Sequence, residues 1–247
     1  MNRSAVNRCS IATMGALALL IGAGCAGQSA PNVAAGAMGE ESVAVAGGGV
    51  HVPGWTGRID AQEVAAGLAL SDARFASEGN GFRVATGPAV TYWNPANRAS
   101  GNYTVRATFT EPRYMSINDH PHPYGIVIAG NDLGTDQQSY LYCSAYGNGT
   151  FIVRGFGPEP FRASASRPEE HAAVARAADR YQPVTQEIAM SVRGDAVECS
   201  INGTVVARYP RSELVAQGRL KSTDGVYGVR FGHNTEVLVS GLSMTTP

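Results

Sequence analysis

His120-Pro121-His122-Pro123 sets two imidazoles two residues apart on a segment that prolines hold extended, so both rings leave the same side of the chain. With Asp119 they begin a metal-ligand set, but the sequence places no third ligand. The reading adopted is a rigid loop with solvated histidines and no metal. Asn131, Asp132 and Asp136 offer oxygen ligands of the kind calcium takes. Calcium needs about six to eight of them, and Asn and Asp are also ordinary turn formers. Calcium is therefore the one ion left open, and no other cofactor is implied. His233-Asn234 occupies a tight turn between the last two apolar segments, where both residue types tolerate turn geometry.

Signatures of catalysis are otherwise missing. No Ser-centred nucleophile elbow, phosphate-binding glycine loop or dinucleotide fingerprint occurs. Glu187 has no acidic partner two or four residues on, and glycoside hydrolysis uses a pair of carboxyls. Asp72, Glu78 and Glu111 read as surface or loop acids. No catalytic residue is assigned.

One hairpin offers a ligand surface. Ser139 to Ala145 and Thr150 to Phe156 flank Gly147-Asn148-Gly149. A two-residue loop would put Arg154 on the face of Leu141 and Cys143. A three-residue loop instead gathers Leu141, Cys143, Ala145, Phe151 and Val153, and a Gly at its third position suits a left-handed bulge. The second register separates core from surface and is preferred. Its other face carries Tyr140, Tyr142, Ser144, Ile152, Arg154 and Phe156. Rings there can stack on a flat ligand while hydroxyl and guanidinium groups bond its edge. The candidate ligand-binding set is Tyr140, Tyr142 and Arg154, with His122, Asp132 and His233 from the loops, and a saccharide is the expected partner.

The elements that must carry these residues are strands. Tyr103, Val105, Ala107 and Phe109 alternate with Thr104, Arg106, Thr108 and Thr110, which predicts a half-buried strand. Tyr124 to Ala129 is a continuous apolar run suited to a strand covered on both faces. Ile188 to Val192, Val197 to Ile201 and Val205 to Tyr209, joined by Gly194-Asp195 and Asn202-Gly203, predict a meander. Val226 to Phe231 and Val237 to Met244 close the chain. Strands about every ten residues, punctuated by Gly, Asn and Asp, indicate an all-β antiparallel sandwich or barrel. Two segments depart from this rhythm: Glu169 to Arg180 reads as one or two helical turns on a long loop, and Ser212 to Gln217 as a short helix stopped by Gly218. Trp55 and Trp93 read as core or edge-packing residues.

The first residues predict export. Arg3 and Arg8, the apolar run Ile11 to Ile21 and the small residues Gly22-Ala23-Gly24 before Cys25 make a signal peptide over 1–24, too short to span a bilayer. Cys25 then becomes the lipid-carrying first residue. The usual aliphatic residue three before it is replaced by Gly22, which leaves ordinary cleavage near Ala23 to Ala26 as the alternative. Residues 25–51 are rich in Ala and Gly and read as a disordered tether, with the folded domain at 52–247. Cys143 and Cys199 remain in the mature domain, either as a disulfide formed outside the cytoplasm or as two buried thiols.

Charge excludes some partners. Charged residues are 16% of the chain, and losing the leader removes two arginines and no acid, leaving a net charge of about −3. No positive excess exists to displace counterions from nucleic acid. Lys221 is the sole lysine, so no polybasic membrane patch exists, and membrane contact is expected only through a lipid anchor.

The segments 81–93, 139–156, 192–209 and 225–244 together resemble the concanavalin A-like lectin/glucanase sandwiches. Within them the chain looks most like bacterial 3-keto-disaccharide hydrolase domains, loosely labelled family-sixteen glycoside hydrolases. The resemblance covers most of Trp55 to Met244 and lies in strand rhythm, best defined in VRGDAVECSINGTVVARY and GVYGVRFGHNTEVLVSGLSM. It implies a jelly roll with a sheet that meets carbohydrate. The Glu-x-Asp-x-Glu strand of laminarinase-type enzymes is absent, so no catalytic residue is carried over.

Three functions follow: an exported lipoprotein that binds carbohydrate, a glycoside hydrolase of the 3-keto-disaccharide type, and a structural or protein-interaction envelope lipoprotein. The missing carboxylate pair favours binding.

Overall fold

A computed structural model describes residues 41–247, and Cys25, the leader and most of the tether lie outside them. Within the described residues the chain is almost all β. In chain order the first eight strands are β1 (Gly49–His51), β2 (Thr56–Ile59), β3 (Arg74–Glu78), β4 (Gly81–Ala85), β5 (Val90–Ala99), β6 (Tyr103–Glu111), β7 (Tyr124–Asn131) and β8 (Ser139–Ala145). Then come β9 (Thr150–Phe156), β10 (Pro160–Arg162), β11 (Glu169–Glu170), β12 (Val184–Arg193), β13 (Ala196–Ile201), β14 (Thr204–Pro210), β15 (Gly225–Phe231) and β16 (Glu236–Thr245). Two short helices, α1 (Ala61–Ala65) and α2 (Arg211–Leu214), interrupt them.

The strands form two sheets. The first has the order β1-β3-β4-β16-β6-β12-β13-β14, and the second β10-β9-β8-β7-β15-β5-β2 with β11 on β9. All pairings are antiparallel except β1 with β3. The antiparallel sandwich read from the alternation is the fold observed, in the jelly-roll form that the resemblance implies. The meander is β12-β13-β14, and its Asn202-Gly203 turn has both residues at positive φ, 49° and 81°, as a tight hairpin turn requires.

Period-two alternation fills the space between the sheets. Phe75 stacks on Tyr92 at 4.6 Å and Phe109 on Tyr124 at 5.8 Å, while Trp55 packs on Phe75 and Phe82. The hairpin β8-β9 has the three-residue-loop register: Tyr142 faces Arg154 and Cys143 faces Val153. Gly149 closes its loop at φ 87°. Leu141, Cys143, Ala145, Phe151 and Val153 are therefore core, and the tyrosine face points away from it.

Three expectations are corrected. Residues 41–51 were assigned to the tether from composition, yet Gly49–His51 pairs with β3 and Val43 N–H is held by the Asn234 side chain at 2.9 Å. Backbone hydrogen bonds, which composition does not report, order this stretch. The span Glu169 to Arg180 holds the short strand β11 and turns rather than helix, because Ala177 N–H bonds Gly147 O across the hairpin loop. The second helical segment exists, but as Arg211–Leu214. No described helix is long and apolar enough to cross a membrane.

Cys143 on β8 and Cys199 on β13 are joined by a disulfide, Cα atoms 6.2 Å apart, that ties one sheet to the other across the core. Closing a loop over a separation of 56 residues restricts the unfolded chain substantially. Denaturant unfolding with and without reductant should differ by about 2–4 kcal/mol in favour of the oxidised protein; coincident curves would show that the packed sheets alone supply the stability.

Candidate functional site

The face of the second sheet turned away from the core forms a cleft of about 710 Å³, inside the range of small-molecule sites. Tyr142, Ser144, Arg154 and Phe156 from the β8-β9 hairpin line it, as do Tyr146, Arg230, His122 and His233. Strand alternation explains the set. Val229 and Phe231 enter the core, so Arg230 between them must leave on the other face. Tyr146 follows Tyr142 and Ser144 in the same phase.

Arg230 organises this face. It is 8% exposed, and its two terminal nitrogens donate to the two oxygens of Asp60 at 2.8 and 2.6 Å. Nη1 also donates to Thr91 Oγ1 at 2.9 Å and the Tyr140 hydroxyl at 3.2 Å. The guanidinium plane lies 4.9 Å from the Tyr142 ring centroid and 5.1 Å from that of Phe156, a cation–π arrangement on two rings. Asp60 precedes α1 but does not cap it, since its side chain is turned to Arg230. Glu63 on α1 also lines the cleft, accepting from the Ser42 hydroxyl at 2.7 Å and Ala89 N–H at 3.1 Å.

Ladder register places the histidines. Tyr124 on β7 pairs with Phe231 on β15, and the pairing runs on one step, with Gly232 N–H donating to Pro123 O at 2.7 Å. His122 and His233 thus come opposite each other, ring centroids 4.0 Å apart, and His120 lies 4.4 Å from His122. The Asn118 side chain donates to Asn234 O at 2.8 Å and holds the two loops together. Burial, reinforced by His233 and His120, lowers the His122 imidazole to about 3, so it is neutral at ordinary pH. Burial also pushes the Tyr146 phenol up to about 12.

Of the candidate residues, Tyr142, Arg154, His122 and His233 line one cleft. Tyr140 does not serve as a platform: it is 2% exposed, stacked on Phe156 at 4.9 Å with its hydroxyl committed to Thr91 and Arg230, and it positions Arg230 instead. Asp132 is not part of the site. It lies beyond the far end of β7 from His122, across an eight-residue strand of about 26 Å, and is paired with Lys221. The neighbouring side chains are engaged too: Asp136 pairs with Arg58, and the Asn131 amide nitrogen donates to the Ala129 and Asp224 carbonyls.

Sequence reasoning missed Asp60, Glu63, Tyr146 and Arg230. Two signals were present: Asp60-Ala61-Gln62-Glu63 has the spacing of a helix-start box, and Arg230 is a lone charge inside an apolar strand.

The architecture is a jelly-roll sandwich of two curled sheets. Among solved structures, the carbohydrate-binding module CBM66 from Bacillus subtilis matches with a TM-score of 0.50 at 9% identity, over 78% of this chain and 96% of that one. An endo-β-1,3-glucanase from Pyrococcus furiosus gives 0.49 at 12% identity over 81% and 91%. A Bacillus subtilis protein with a galectin-like fold gives 0.45 at 11% identity over 78% and 89%. The first of these likenesses is one of fold alone. No protein-family model matches the sequence, and neither does any curated protein.

The Arg230–Asp60 pair yields a direct test. Arg230→Met should cost about 3 kcal/mol in denaturant unfolding, because it strands a half-buried carboxylate. Pairing it with Asp60→Leu should recover most of the loss; a single variant as stable as the parent would remove the pair from its organising role.

Proposed function

We propose that the protein is an exported carbohydrate-binding module whose cleft on the outer face of the second sheet receives a saccharide. The observation that carries the reading is Arg154. Its Nε is buried in the structure without a hydrogen-bond partner, its Nη2 reaches only Ser166 O at 3.2 Å, and it lines the cleft opposite Tyr142. A buried donor without a partner costs about 1–3 kcal/mol, which a ligand hydroxyl would offset. Tyr142, Tyr146 and Phe156 add apolar surface for the C–H face of a sugar ring, and Ser144 adds a hydroxyl. The sandwich class supports the reading through its fold.

Export and a lipid anchor at Cys25 belong to the same proposal. The basic, apolar and small-residue order of the first 25 residues supports it, as does the Cys143–Cys199 disulfide, a bond characteristic of oxidising compartments.

A second reading, hydrolysis of a glycoside of the 3-keto-disaccharide type, is favoured by one observation: two carboxylates, Asp60 and Glu63, line the cleft. Against it, both Asp60 oxygens bind Arg230 and both Glu63 oxygens accept structural hydrogen bonds.

A glycan array probed with the purified protein should reveal a bound saccharide. Affinity for it should fall at least about tenfold in Tyr142→Ala and in Arg154→Ala, the loss of one charge-assisted bond or stacked ring. Full affinity in both variants would remove the cleft as the binding site. Release of reducing sugar by the parent, abolished in Glu63→Gln, would establish the hydrolytic reading in its place.

A further inference from the structure

We propose that His120, His122 and His233 form a binding site for a divalent transition metal of the zinc class at the wall of the cleft. One candidate ligand atom from each residue lies within 4.8 Å of the others. Three imidazoles around zinc at about 2.1 Å need their nitrogens about 3.4 Å apart, so modest ring rotation closes the set. Among the described residues this is the one such grouping of metal-ligating side chains.

The surroundings are built for it. His122 Nε2 is buried and has no hydrogen-bond partner in the structure. The His120 Nδ1 is 2.7 Å from Asp119 Oδ1, so Nε2 is the nitrogen that ring would offer a metal. A carboxylate behind a ligating imidazole is the usual support of a metal site. Ser42 donates its hydroxyl hydrogen to Glu63, so toward His233 Nδ1, 3.4 Å away, its oxygen acts as acceptor and selects the tautomer protonated at Nδ1. Backbone geometry fixes the approach: a Cβ at Gly232 would sit 2.8 Å from Pro123 Cδ and 3.2 Å from His122 Cβ.

The donor set decides the metal. Three imidazole nitrogens suit zinc, cobalt, nickel or copper and offer calcium or magnesium none of the oxygens they require. Three protein ligands leave a coordination position for water or for an oxygen of a molecule in the cleft, which His122 and His233 also line. The site stands apart from the saccharide proposal, because its test reads metal and not glycan.

The test is a Co²⁺ titration of the chelator-stripped protein followed by visible absorption, with Zn²⁺ affinity taken from competition against a chromophoric chelator. One equivalent per chain should bind and give the d–d bands of four- or five-coordinate cobalt. His122→Ala and His233→Ala should each weaken Zn²⁺ binding more than about a hundredfold. The exposed Asp119→Asn, which leaves the core untouched, should weaken it about tenfold. His51→Ala and His171→Ala should leave it unchanged. No stoichiometric binding by the folded parent, full affinity in folded Asp119→Asn and His122→Ala, or dependence on His51 or His171 would overturn the proposal.

Discussion

A buried arginine on the outside of a sheet is the constraint around which the cleft is arranged. Arg230 leaves the core side of β15 by strand alternation and cannot reach bulk water, since the β8-β9 aromatics and the start of α1 close over it. An unpaired cation there would be costly, so Asp60 is drawn in, and with it α1 and Glu63. Thr91 from β5, Tyr140 from β8 and the rings of Tyr142 and Phe156 complete its surroundings. Four strands and a helix are thereby held in one arrangement, which gives the cleft a fixed floor.

The same hairpin builds both sides of the sheet. Leu141, Cys143 and Val153 fill the sandwich, and Cys143 bonds the opposite sheet, while Tyr142, Ser144 and Arg154 of alternate phase form the cleft wall. A slip of one residue between the two strands would put Arg154 on the core face beside Leu141 and Cys143. Gly149 in the left-handed conformation and the disulfide together protect that register. The cleft wall is thus rigid because it shares its backbone with the core.

What the sequence disclosed divides along the range of the interactions. Strand rhythm, the Asn202-Gly203 turn and the β8-β9 register depend on local alternation and turn chemistry, and all were legible. The Arg230–Asp60 pair spans 170 residues, and the meeting of His120 and His122 with His233 depends on the register of Tyr124 against Phe231; neither has a local signature. Tyr140 and Tyr142 look alike in sequence, yet Arg230 takes the hydroxyl of one while the other lines the cleft. The Ala- and Gly-rich stretch before β2 looked unstructured because its order comes from distant partners: backbone pairing with β3, and the Asn234 side chain, which binds Glu41 O and Val43 N–H.

The central claim is that the outer face of the second sheet is the binding face. Backbone amide chemical shifts of the isotope-labelled protein, followed during titration with a saccharide it binds, test this most directly. The account predicts perturbations gathered on Tyr142, Ser144, Tyr146, Arg154, Phe156 and Arg230. Perturbations gathered on the exposed face of the first sheet, around Glu187, Glu198 and Arg208, with the cleft silent, would contradict it.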